Sequence, residues 1–330
     1  MNAPCPNLLL EPADTLARFL RDSRGFAHKR DIDGVLPMLA GGAPSAVLVG
    51  DDCAAIPDGD GWLLFAIEGF LNEFVEREPW FAGYCGVMVN VSDIYAMGGR
   101  PTAVVDALWS RGGAAAAPVL EGLAAASRVY GVPIVGGHSN RRSDREQLSV
   151  AIVGRASKLL TSFDARPGDH LVAAIDLRGR FQEPYAYWNA STEAPPERLR
   201  ADLEILPGLA EDGLCAAGKD ISMAGVVGTA LMLLECSGVG AEIEPARVPR
   251  PSGVPLERWL TAFPSYGFLF GVADAHLAAV QERFAARGIA CAPFGRVTAG
   301  TRVTLHHEGA SALLWDFAEQ GFIGCAAPGA

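Results

Sequence analysis

Carboxylates at separated points of this chain stand where acids are costly or where turns present them, a pattern suited to a cation that holds phosphate. Asp93 lies within residues 89–101, an otherwise apolar stretch of helical length that ends in Gly98, Gly99 and a helix-stopping Pro101. An acid in a buried helix is costly unless something pairs with it. A metal ion would do so, and so would a basic neighbour such as Arg100. About 40 residues earlier come Gly50, Asp51, Asp52 and Cys53; about 40 later come Gly136, Gly137, His138 and Ser139. Three such stations suggest one site for a metal-bound polyphosphate, assembled from separated loops.

Each station has a plainer alternative. Asp51 and Asp52 follow an apolar, strand-like run over 46–49, so they either ligate a hard cation or form a solvated turn. Glu68 ends a second strand expected over 62–67; it either joins that cluster or faces water as an edge acid. Asn90, Asp93 and Met97 share one helical face by the three- and four-residue rule. Gly136 and Gly137 let backbone N–H groups approach phosphate closely, with Arg141 and Arg142 nearby. Lys29, beside His28, is either a neutraliser of γ-phosphate charge or a surface charge. Asp220 holds a cation or, like Ser222, caps a helix. No P-loop, nucleophile elbow or H-E-x-x-H motif occurs. Cys53, among acids, is a poor nucleophile.

The elements that must position these groups follow from periodicity and punctuation. Helices are expected over 81–97, 114–130, 220–235 and 275–287, with one or two short ones within 16–39. Strands are expected over 102–109, 132–135, 147–153, 170–175, 268–272 and 289–297, and the stretch 178–197 reads as a surface insertion. Alternation of the two types implies an α/β or α+β fold. The turn-rich segment 161–169 divides the 330 residues into domains 1–160 and 161–330. A formal net charge of -11 argues against general affinity for nucleic acid or an anionic membrane. It does not argue against a nucleotide bridged by a divalent metal. Seven cysteines without a C-x-x-C pair suit reduced thiols in the cytoplasm. No secretory leader is expected at the N-terminus, and the apolar runs are too short to span a bilayer.

Taken in order, the motifs resemble the aminoimidazole ribonucleotide synthetase superfamily, which includes thiamine-monophosphate kinase, selenophosphate synthetase and the hydrogenase-maturation dehydratase. They are Gly50-Asp51-Asp52-Cys53-Ala54, then Asn90, Ser92, Asp93, Ile94, Ala96, Met97 and Gly98, then Gly136, Gly137 and Ser139. Arg166-Pro167-Gly168-Asp169 and Asp220-Ile221-Ser222 complete the set. The resemblance implies two α/β domains, an N-terminal domain that pairs into a homodimer through its sheet, and ATP with Mg2+ in an N-terminal cleft. It implies Asp51, Asp52, Asp93 and Asp220 as magnesium ligands, with Glu68 where the family usually has Asp. Asn90, Ser92, Gly136, Gly137, His138 and Ser139 would bind the nucleotide, and Lys29 would contact phosphate. Lys29 and Asp93 are the expected catalytic residues.

The chain departs from each named member. No cysteine precedes Lys29 closely, as in selenophosphate synthetase. Met223 replaces an acid of thiamine-monophosphate kinase, and 263–270 replaces its later acidic segment. Cys325 is followed by residues 326–330 rather than ending the chain. The expected activity is a magnesium-dependent phosphotransferase or phosphate-activating synthetase for an unidentified small molecule. That acceptor is expected near Ser222, Met223 and the Ser265-Tyr266-Gly267 loop. The alternatives are a non-catalytic ATP-binding sensor or regulatory protein of the same fold, and a dimerisation module whose acids form ordinary ion pairs.

Overall fold

The computed structural model describes residues 11–35, 38 and 49–325. Two short helices, α1 (Pro12–Arg21) and α2 (Arg24–Arg30), come first. The N-terminal unit then runs β1 (Ala54–Asp58), β2 (Gly61–Gly69), α3 (Asn72–Arg77), α4 (Pro79–Ala96), β3 (Arg100–Trp109), α5 (Gly113–Tyr130), β4 (Ile134–Asn140) and β5 (Gln147–Ala156). Its five strands are ordered β1-β2-β5-β3-β4, antiparallel throughout except for the β3–β4 pair.

Helix α4 carries Asp93 and is apolar around nearly its whole circumference, as a helix enclosed on all sides must be. It lies against β2, β3, β5 and α5. Gly83 and Gly122 make the α4–α5 crossing possible. A Cβ at Gly83 would stand 2.0 Å from the Val119 carbonyl oxygen, and one at Gly122 would stand 1.9 Å from that of Trp80. The helix ends at Ala96, and Gly98 then turns the chain with φ +73°. The sheet face turned away from the helices leaves Phe65, Ile67, Val105 and Val135 exposed, Ile67 by 66% and Val135 by 65%.

The C-terminal unit is built on a seven-stranded sheet and its helices. In chain order its elements are β6 (His170–Ile175), β7 (Arg180–Phe181), β8 (Tyr187–Asn189), α6 (Pro196–Leu203), α7 (Ile205–Glu211), β9 (Ala217–Asp220) and α8 (Gly225–Ser237). There follow β10 (Gly240–Ile243), α9 (Leu256–Leu260), β11 (Phe263–Pro264), β12 (Gly267–Val272), α10 (Leu277–Ala285), β13 (Ala290–Thr298), β14 (Arg302–His307) and β15 (Ala310–Asp316). The large sheet has the order β15-β14-β10-β13-β6-β12-β9. Helix α1 buries Ala13, Leu16, Ala17 and Leu20, one face at helical spacing, against β14 and β15. Phe26 of α2 meets Phe322 edge to face at 5.2 Å. The first two helices therefore pack with the C-terminal sheet, and α2 delivers Lys29 from that side.

Three local expectations change. The helix expected from residue 220 is a strand there: β9 pairs with β12 through Asp220 opposite Phe268, and α8 starts only at Gly225, whose φ of +67° bars a helix from running back through it. Asp220 and Ser222 are thus not its N-cap, which is Ala224. The stretch 178–197 is structural: β7 and β8 join β11 in a three-stranded sheet, and Trp188 is buried beside Trp259. Gly136 to Asn140 continue the strand β4, hydrogen-bonded along β3, where a loop was expected. The strand expected over 46–49 lies, except for its last residue, outside the described residues.

Candidate active site

A cavity of about 400 Å³ opens between the two units. One wall is ionic: Lys29 from α2, Asp51 and Asp52 from the segment before β1, Glu68 from β2, Asp93 from α4, and Lys219 and Asp220 from β9. The other wall is apolar, with Phe70, Phe74, Phe81, Met88, Tyr187 and Phe263. Phe74 organises it, with Phe81 at 6.0 Å and Tyr187 at 5.4 Å in edge-to-face contacts.

Lys219 is the centre of the ionic wall. Its side chain is only 5% exposed, and its Nζ lies 2.5 Å from Asp52 Oδ1 and 4.0 Å from Asp51 Oδ1. Burial works to discharge this ammonium, but Asp52 and Asp51 outweigh burial and hold its pKa above the ordinary lysine value. The second oxygen of Asp52 accepts the Asp220 amide at 3.1 Å. Asp51 accepts the Ser162 amide at 2.8 Å, the Ser162 hydroxyl at 2.7 Å and the Asp52 amide at 3.0 Å. Both of these acids are engaged by protein donors.

Asp93 is different. It is 6% exposed and lines the cavity, and its Oδ2 is buried with no hydrogen-bond partner among the described residues. Burial, then Asp220, Glu68 and Asp52, push its carboxyl up, and Lys219 opposes them. Asp220 is pushed up by burial and Asp52, against Lys219 and Lys29. Asp51 is raised to about 6, by burial first and Asp52, against Lys219 and its hydrogen bonds from Ser162. Glu68 is exposed on its strand, yet the cleft around it raises its carboxyl against the pull of Lys29. Buried carboxylates crowded beyond the available positive charge fit a hard divalent cation, and the orphaned Asp93 oxygen is the natural ligand. Among the described residues no three Asp, Glu, His or Cys side chains already stand close enough to hold an ion. Asp51 and Asp52 are turned to Ser162, Lys219 and the Asp220 amide instead.

The alternative partner for Asp93 does not take it: Arg100 pairs with Glu204 at 2.8 Å and Glu211 at 2.6 Å. Asn90 does not line the cavity. Its amide donates to the Gly86 carbonyl at 2.8 Å and the Val150 carbonyl at 3.0 Å, tying α4 to β5. Ser92 is half-buried on α4, also away from the cavity lining. Gly136, Gly137, His138 and Ser139 are exposed on β4, the edge strand, and are not brought to the acids within this chain. His138 lies 6.0 Å from the Trp109 ring. Met223 and Ser265 line the cavity, but Tyr266 is buried and donates to the Asp202 carbonyl at 2.8 Å. Cys53 is pushed well up by burial and then by Asp93 and Asp52, so its thiol is inert.

Sequence reasoning missed Lys219 and the aromatic wall. A signal for the lysine existed. The chain has three lysines, Lys29, Lys158 and Lys219, in a total of 27 Lys and Arg, so nearly all its basic groups are arginine. Two of the three lysines line this cavity, and no arginine does. The wall had no local signal, because its rings come from α3, α4, β8, β11 and the segment between β2 and α3.

An uncharacterized protein of Synechocystis is 45% identical over 312 residues, 92% of this chain and 96% of that one. Thiamine-monophosphate kinase of Pyrococcus horikoshii is 32% identical over 165 residues, 46% of this chain and 50% of that one. Among solved structures, Thermotoga maritima PurL complexed with ATP superposes with a TM-score of 0.69 at 18% identity, covering 96% of this chain and 53% of that one, a likeness of fold. Residues 50–156 match the N-terminal domain of AIR synthase related proteins and residues 166–308 match the C-terminal domain, so the chain belongs to the AIR synthase related family.

Proposed function

We propose that this chain is a magnesium-dependent, ATP-using phosphotransferase or phosphate-activating synthetase, acting on a small molecule as a cytoplasmic homodimer. The observation that carries the reading is the buried Asp93 carboxylate, with one oxygen unpartnered among the described residues, lining a cavity together with Asp220, Glu68 and Lys29. A relative named as a kinase and a structural neighbour solved with ATP support it. Asp93, Asp220 and Glu68 would hold the metal, which supplies neutralisation of phosphate charge when bound. Lys29 would orient a phosphate oxygen from the α2 side. The apolar wall would exclude water and receive the body of the acceptor.

The exposed Phe65, Ile67, Val105 and Val135 support pairing of two N-terminal sheets. Because residues 136–139 stand on that sheet's edge strand, any contact they make with nucleotide at the acids is expected from a second copy. Isothermal calorimetry of ATP with and without Mg2+ tests the function. Binding that requires Mg2+ and is lost in Asp93→Asn is the expected result, and no ATP binding by the wild type would sink the reading. A second reading, ATP binding without turnover, is favoured by the engagement of Asp51 and Asp52 with protein donors. Phosphate release in an acceptor screen separates the two.

A further inference from the structure

We infer that the Lys219 ammonium is a built-in cation that takes a place a divalent ion would otherwise hold among these acids, leaving this chain a single divalent-cation site at Asp93, Asp220 and Glu68. The inference rests on the acid cluster being the metal site proposed above. Its grounds are how each carboxylate is engaged. Asp52 is closed on one oxygen by Lys219 Nζ at 2.5 Å and on the other by the Asp220 amide at 3.1 Å. Asp51 is closed by both donors of Ser162 and lies 4.0 Å from the same ammonium. A divalent ion at Asp52 would stand directly against a fixed positive charge in a buried setting, where repulsion is poorly screened.

Lys219 has nowhere else to go. It sits on β9 opposite Leu269 of β12, and its side chain is 5% exposed. The ammonium is compact, and it is held from the strand by a stem that reaches the Asp51–Asp52 pair. The open oxygen belongs to Asp93: its Oδ2 has no hydrogen-bond partner among the described residues, and Asp93 is itself 6% exposed. Asp52 is therefore balanced by Lys219 and Asp51 is held by Ser162, while Asp93, Asp220 and Glu68 are left for an ion. The structural consequence is that part of the cluster keeps its shape without metal. The functional consequence is that nucleotide enters with one protein-held divalent ion and a fixed ammonium beside it.

Counting Mn2+ tests this directly, by electron paramagnetic resonance of free Mn2+ titrated with the full-length protein and no nucleotide. The wild type is expected to bind one Mn2+ per chain, lost in Asp93→Asn. Lys219→Met is expected to bind two, and its melting temperature is expected to rise with Mn2+ more than that of the wild type. Lys219→Arg is expected to keep the count at one. Two or more ions in the wild type overturn the inference, whether or not any variant folds. So does a wild type that binds none, or a folded Lys219→Met that gains no ion. Should Lys219→Met fail to fold, the double variant Asp52→Asn with Lys219→Met removes both charges and is expected to bind one ion; two overturn the inference. Because nucleotide is absent, the count and the ATP reading fail separately. One ion without ATP binding removes the function and keeps the inference, while two ions with ATP binding do the reverse.

Discussion

At the scale of single residues, the ionic wall is a contest between burial and pairing. Asp51 has a folded-state pKa of about 6 against an ordinary 3.8, and Asp93 and Asp220 are raised as well. An acid whose pKa rises on folding binds more protons folded than unfolded between the two values. The metal-free protein should therefore lose stability as pH climbs from about 4 through about 6. Added Mg2+ should offset that loss above this window and do little below it, where protons compete for the same oxygens. Melting temperature against pH, with and without Mg2+, checks both signs; identical curves would mean that no ion binds these acids. Asp93→Asn should abolish the Mg2+ effect while leaving the metal-free melting temperature equal or higher, since it removes a buried charge. The sequence exposed Asp93 as anomalous because an acid in an apolar helix is a local contradiction. It could not reveal that Asp52 belongs to Lys219, a contact across 167 positions.

At the scale of elements, the placement of Asp93 depends on the approach of α4 to α5. Gly122→Ala puts a methyl 1.9 Å from the Trp80 carbonyl oxygen, which backbone movement alone can relieve. The expected cost is at least the roughly 1–3 kcal/mol typical of overpacking, read as a lower urea midpoint, with weaker Mg2+-dependent ATP binding as the helix shifts. An unchanged midpoint would show that the two helices are not locked there. A second element-scale device is Asp202 on α6. It is 1% exposed and pairs with Arg178 at 3.0 Å and Arg287 at 2.8 Å, joining α6 to the segments after β6 and α10. Asp202→Ala leaves Arg178 paired with Asp176 and Arg287 partly solvated, so it should destabilise by about 1–3 kcal/mol, the range for lost hydrogen bonds to a charged group, measured by denaturant unfolding. The helices α4 and α5 were legible because their apolar spacing, Gly98 and Gly131 are local signals. The start of α8 was not legible, because pairing of β9 with β12 took residues whose local pattern also suits a helix.

At the scale of the whole molecule, the cavity exists only where the two units meet, and α2 reaches it from the C-terminal side. Phe26→Ala removes the ring that docks α2 on Phe322, with an expected cost of about 3–5 kcal/mol and weaker nucleotide binding through displacement of Lys29. The open face of the N-terminal sheet makes a separate prediction. Ile67→Lys, at a position 66% exposed in the single chain, should shift the protein from dimer to monomer in sedimentation velocity. A wild type that sediments as a monomer would set the dimer aside. Among the described residues no helix is long and apolar enough to cross a membrane.

The sequence by itself determined the order of the stations, the mixed α/β character and the buried helix with its acid. Those are properties of neighbouring residues: apolar period, helix stops and glycines at turns. Only the tertiary structure decided which carboxylate keeps a free oxygen, that Lys219 neutralises Asp52, that α1 and α2 pack with the distant sheet, and that residues 136–139 stand apart from the acids. Each of these is a choice of partner across many positions, and it is set by which surfaces meet when the two sheets close on one cavity. Local pattern marks helices such as α4 and α5 and their stops; pairing and burial between elements fix the start of α8 and the charges.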